Sequence, residues 1–101
     1  MIVQGDVFFS KVRAIPQSVI RVSRSKRGFI IAEGEATGHA HVIDGDIELY
    51  EKDGILFIKT VHEVEVRHEE HLPVNLPPGL WKVGTVKEYD PFLEEARQVR
   101  D

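Results

Sequence analysis

Hydrophobic and polar residues alternate along most of this chain with a period of two, the signature of strands buried on one face. Val7-Phe8-Phe9, continued by Val12 and Ile15, predicts a first strand that Pro16 stops. Val19-Ile20-Arg21-Val22 predicts a second, closed by the turn Ser23–Gly28, and the β-formers Phe29-Ile30-Ile31-Ala32 predict a third. The stretch from His41 to Ile58 contains three apolar runs, His41–Ile43, Asp46–Tyr50 and Ile55–Ile58, separated by Asp44-Gly45 and Asp53-Gly54. Asp-Gly suits tight hairpins because both residues tolerate positive φ. The pattern therefore predicts an antiparallel meander. The strand from Ile55 is expected to continue or bend near His62 into Val64–Arg67, where Val64 and Val66 face one way and Glu63, Glu65 and Arg67 the other. Pro77-Pro78-Gly79 places Pro and Gly where a type II turn wants them, joining a strand at Val74–Leu76 to one at Leu80–Glu88.

The tail reads differently. Asp90-Pro91 supplies an N-cap and a first-turn proline, and Phe92, Ala96 and Val99 share a stripe, so a helix of two to three turns is expected to end near Val99. Seven or more short strands and one short helix predict an all-β fold: a mostly antiparallel small barrel or sandwich with a short C-terminal α-helix. Closure would hide the strand edges that such a chain exposes.

Length and composition narrow the setting. With 101 residues, 42% hydrophobic and 30% charged, residues 1–101 are expected to form a single β-rich domain around one core. The chain has no cysteine, which excludes disulfides, thiolate metal sites and cysteine nucleophiles. No apolar run approaches the ~20 residues that span a bilayer. No basic segment followed by a long apolar stretch opens the chain, so a cytoplasmic protein without membrane attachment is expected. No glycine-rich phosphate loop and no nucleophile elbow occur.

The most informative residues are the histidines. Four of five fall in two pairs, His39-Ala40-His41 and His68-Glu69-Glu70-His71. His39 and His41, two apart on a strand, share a face. His68 continues the inward parity of Val64 and Val66, together with Glu70. A His and a Glu entering an inner face need a hydrogen bond, an ion pair or a metal. His68 and His71 can act together only if the chain turns at Glu69-Glu70. The economical site is His39, His41 and His68, with His71 or Glu70 as a fourth ligand for a divalent zinc, nickel, iron or manganese ion. If the site is catalytic, Glu33, Glu35 or Glu70 is the candidate general base beside a metal-bound water. The competing reading is a solvated or hydrogen-bonded histidine set without metal.

Charge supports a second function. Residues 1–30 carry six basic side chains against one acid, and residues 31–101 carry seven against sixteen. Arg21, Arg24, Lys26 and Arg27 are the candidate contacts to nucleic-acid phosphates or to an acidic partner. The alternatives to a metal site are thus a non-enzymatic accessory module of phage or mobile-element type and a homo-oligomer joined through strand edges. Trp81 and Tyr89 share parity and could stack a base or sugar, but core packing explains them as well.

Two resemblances add to this. Ala32 to Ile43, with Gly38-His39-Ala40-His41, followed by His68-Glu69-Glu70-His71, Leu76-Pro77-Pro78-Gly79 and Glu88-Tyr89-Asp90-Pro91, resembles a family of short uncharacterised bacterial and phage proteins. That resemblance implies a shared fold and no particular activity. Gly34, His39, His41, Glu48 and Gly54 also resemble the ingredients of the first cupin motif, which implies a metal inside a small barrel. The interval from His41 to Glu48 is longer than that motif's, and the histidines precede the Pro-Pro-Gly rather than follow it.

Overall fold

A computed structural model describes residues 1–34 and 37–86. The expected C-terminal helix, Tyr89 and Glu35 lie outside the described residues. Among the described residues ten strands are present: β1 Ile2–Gln4, β2 Val7–Lys11, β3 Ile20–Val22, β4 Phe29–Glu33, β5 Ala40–Ile43, β6 Glu48–Lys52, β7 Ile55–Thr60, β8 Val64–Arg67, β9 Val74–Leu76 and β10 Gly79–Thr85. They form two wholly antiparallel sheets, one ordered β1-β2-β10-β7-β6-β3 and the other β4-β5-β8-β9. The all-β expectation holds, in its two-sheet form; the sheets do not close into a barrel.

The alternation of the sequence sets the layers. Val7 and Phe9 of β2, Leu49 of β6, Ile58 of β7 and Trp81 and Val83 of β10 face Phe29 and Ile31 of β4, Ile43 of β5, Val64 and Val66 of β8 and Leu76 of β9 in one core. Phe9, Ile43, Leu49, Ile58, Val66 and Leu76 are sealed from solvent, while Glu65 and Arg67 between them are exposed. Trp81 belongs to this core and donates from Nε1 to the Pro77 carbonyl at 3.1 Å, which settles it as a packing residue.

The predicted meander is corrected at one of its two turns. Asp53 and Gly54 have φ of 52° and 79°, the doubly positive pattern of a type I′ turn, and they join β6 to β7 as a hairpin. Asp44-Gly45 does not adopt positive φ, and β5 and β6 belong to different sheets. The chain crosses between layers there because β5 already pairs with β4 and β8. The bend expected near His62 is another crossing, from β7 to β8, and the chain also crosses from β3 to β4. The fourth crossing lies at Pro77-Pro78, where Gly79 has φ of 154° instead of the type II value of about 80° and opens β10 opposite Thr60.

One hairpin escaped the sequence reading. Gln4 and Val7 pair across Gly5-Asp6, where Gly5 has φ of 60° and Asp6 does not turn positive, as in a type II′ turn. The hairpin carries β1 at the edge of the six-stranded sheet.

Leu76→Ala removes a fully enclosed side chain between the layers and is expected to cost about 2–5 kcal/mol. Val3→Ala, on the exposed side of β1, is expected to stay within about 0.5 kcal/mol of wild type. Urea denaturation of both variants checks the assignment of faces.

Candidate metal centre

Strand β5 places His41 on the inner side, in parity with Ile43, and His39 one residue before the strand begins. The pairing of β4 with β5 slips between Ile30 and Ala32, so that Ala32 lies opposite His41 and Ile31 is the extra residue. A bulge of this kind bends its strand and re-aims neighbouring side chains. His68 follows β8 on the side of Val66, as its parity predicted, and the chain turns at Glu69-Glu70 to bring His71 back.

The four histidines converge. His41 and His68 have ring centres 4.3 Å apart, His68 and His71 4.7 Å, His41 and His71 6.2 Å, and His39 and His68 5.9 Å. His41 is buried, with only 5% of its side chain exposed. Rings from His39-Ala40-His41 and from His68-Glu69-Glu70-His71 are thus gathered in one place.

Two residues that sequence reasoning missed organise the cluster. Gln4 is buried at 2% exposure, and its amide nitrogen donates to the Val66 carbonyl at 2.9 Å and the Leu72 carbonyl at 3.0 Å. Carbonyls only accept, so the nitrogen end of this amide is fixed. Gln4 Oε1 is therefore an acceptor, and the His41 Nδ1 that lies 2.8 Å from it must carry the hydrogen. In the neutral ring this leaves the His41 Nε2 lone pair free. Nε2 faces Asp6 Oδ1 at 3.4 Å. Gly5, between Gln4 and Asp6, makes room for His71: a Cβ there would come within 2.5 Å of the His71 Nε2. The available signal was the Gly5-Asp6 pair between two short apolar runs, which marks a hairpin but not what the hairpin touches.

Burial lowers the His41 pKa below its ordinary 6.5, His68 lowers it further, and Asp6 opposes both. His68 Nδ1 accepts from the Glu70 backbone N–H at 3.1 Å, and His39 Nδ1 lies 3.1 Å from the Glu70 carboxylate. Glu69, which the sequence did not single out, accepts the Ala40 N–H through both oxygens, at 3.0 and 3.2 Å. Its burial would raise its pKa, but the Ala40 hydrogen bond and the nearby His39 prevail and hold it below the ordinary value. Among the described residues, no group of three or more His, Asp or Glu side chains is already arranged to hold a metal ion; His41 and His71 lie nearly parallel, at 11°, and His39 meets His68 edge-on.

The other candidates are dispersed. Glu33 is exposed at the end of β4 and faces Arg27 at 3.8 Å. Glu48, part of the cupin-like set, lies on β6 in the other sheet, where it accepts from Tyr50 and faces Arg21 at 3.7 Å. Of the basic segment, Arg21 thus sits against Glu48. Arg24 pairs with Asp44, which also takes Arg67 at 3.1 Å, and Arg27 lies between Glu33 and Glu69. Lys26 is exposed in the intervening turn. Carboxylates thus lie against the three arginines that were candidates for phosphate contact.

Residues 3–85 match the model of a family described as a domain of unknown function, DUF8820, and the chain belongs to that family. No curated protein and no solved structure matches it.

Gln4→Met strands two carbonyls and the His41 N–H, and is expected to destabilise the domain by about 1–3 kcal/mol for the groups left unpaired, read from the denaturant midpoint. In metal-free protein, the lowered His41 pKa means that the unfolded chain takes up the proton first. Stability is then full above pH 6.5 and falls as the pH drops below it. Denaturation at pH 7.5 and 5.5 in the presence of a chelator should show this fall, and His41→Gln should reduce it.

Proposed function

We propose that this DUF8820 domain binds one divalent transition-metal ion between His41, His68 and His71, with His39 at the rim. The observation that carries the reading is the convergence of histidines from two separate segments at single-ion spacing. Three imidazoles on one tetrahedral zinc, each nitrogen about 2.0–2.1 Å from it, place their ring centres roughly 5 Å apart. The separations of 4.3, 4.7 and 6.2 Å among His41, His68 and His71 bracket that value.

The tautomer of His41 supports the same reading. Its Nδ1 hydrogen is held by a buried amide, and its Nε2 lone pair faces Asp6. This is the outer-partner arrangement that orients metal-ligating imidazoles. His68 would ligate through Nδ1, its unprotonated nitrogen, after giving up the Glu70 N–H. Closing on one ion would require the His68 and His71 rings to turn from the tilted arrangement they hold. Imidazole donors suit zinc, nickel and iron ions, a carboxylate beside them would admit manganese, and availability and the remaining ligand decide among these.

Calorimetric titration of chelator-treated protein with zinc, manganese and nickel tests this. One ion per chain is expected, together with a rise in the thermal midpoint that grows with metal concentration. His41→Ala and His68→Ala should each abolish stoichiometric uptake. A wild-type protein that ignores all three ions would leave the histidines as a hydrogen-bonded set.

A further inference from the structure

The turn Gln4-Gly5-Asp6 touches the histidine cluster with all three of its residues. Gln4 takes the His41 Nδ1 hydrogen, Gly5 lies under the His71 ring, and Asp6 faces His41 Nε2. The histidines come from the four-stranded sheet and its loops, whereas this turn comes from the edge of the other sheet. We infer that Asp6 is a ligand of the same metal ion, so that the centre is three imidazoles and one carboxylate closed by the β1–β2 turn. This rests on the metal-binding reading above and extends it to the fourth ligand and to the class of ion.

The geometry at Asp6 carries the inference. Gln4 commits the hydrogen of the neutral His41 ring to Nδ1, so Nε2 presents a lone pair, and the group facing it at 3.4 Å is a carboxylate oxygen. Two acceptors oppose each other there in the neutral ring, and either a proton on Nε2 or a metal ion between them relieves the opposition, so the spacing decides. For a nitrogen and an oxygen each about 2.0–2.2 Å from one tetrahedral ion, the separation between them is about 3.4 Å. The pair is thus spaced as two ligands of one ion, and it is longer than a hydrogen bond of ordinary strength. The opposite arrangement holds at Glu70: it faces His39 Nδ1 at 3.1 Å, and 64% of its side chain is exposed, so it is a hydrogen-bonding partner at the rim.

A turn also suits the role mechanically. Asp6 follows a glycine at positive φ, and the hairpin is anchored by the two bonds from Gln4 to Val66 and Leu72, which hold it against the far sheet. The carboxylate is 67% exposed, so it is reachable by an incoming hydrated ion before the buried His41 is. A carboxylate among imidazoles makes the site one for zinc, iron or manganese in the divalent state and a poor one for the soft cuprous ion.

The test is zinc titration of the whole chain with the variants Asp6→Asn and Glu70→Gln. Asp6→Asn keeps the turn, since Asn is also at home there, and its denaturant midpoint without metal should match wild type. Its zinc affinity should fall by about 10- to 100-fold or more, a range that even outer partners of a metal site reach. Glu70→Gln should bind within about twofold of wild type, a difference too small to register as a lost ligand. In cobalt-loaded protein, Asp6→Asn should shift the visible ligand-field bands, which a purely structural role would leave in place. Wild type and Asp6→Asn binding zinc equally, with identical cobalt spectra, would overturn the assignment of Asp6 and leave the histidine site standing. A wild type that binds no zinc would overturn both.

Discussion

One buried amide is the constraint on which the site depends. Gln4 is on an edge strand of one sheet, yet its side chain makes its hydrogen bonds with the other: two to backbone carbonyls near β8 and one to the imidazole on β5. An amide taken out of water without partners would cost a few kcal/mol, so its three bonds must form together or not at all. That requirement fixes the distance between the sheets at this end, the identity of the His41 tautomer and the position of the turn that follows. Elsewhere apolar contact joins the layers, and such contact tolerates small shifts; here the directions are set by lone pairs and hydrogens.

The cluster is correspondingly uneven in what it can do. His41 is dry, held by its neighbours and reluctant to take a proton, whereas His39 and Glu70 are half-exposed or open. Outside it, charges of opposite sign are spent on one another: Asp44 serves both Arg24 and Arg67, and Arg27 bridges Glu33 and Glu69. Surface pairs of this kind add little stability. They do set carboxylates from later in the chain beside Arg21, Arg24 and Arg27.

Legibility followed range. Strands at Val7, Ile20, Phe29, Ile55, Val64 and Val74 could be read because period-two burial is a local property. The Asp53-Gly54 hairpin was legible for the same reason. Asp44-Gly45 has the same chemistry and a different fate, since which sheet takes β5 is decided by partners that the dipeptide does not know. The four histidines were recognisable as a set because their spacing is distinctive and His68 kept the parity of Val66. Gln4 and Asp6 were not recognisable. Their partners are 35 to 68 positions away, and a glutamine or an aspartate in a turn carries no mark of what lies across from it. The closed barrel implied by the cupin-like residues also failed on this ground: Glu48 has the right type but sits in the wrong sheet.

The bond from Gln4 to Leu72 joins positions 68 apart. In a chain synthesised from its N-terminus, β1 and β2 emerge early and find each other, but the pocket they complete does not yet exist. Only when β8 and the turn after it have left the ribosome can the amide be satisfied and the imidazoles be gathered. Contacts of such long range are slow to form. The histidine centre therefore cannot form before Leu72 is in place, and its intact hydrogen bonds mark a molecule whose two sheets have met.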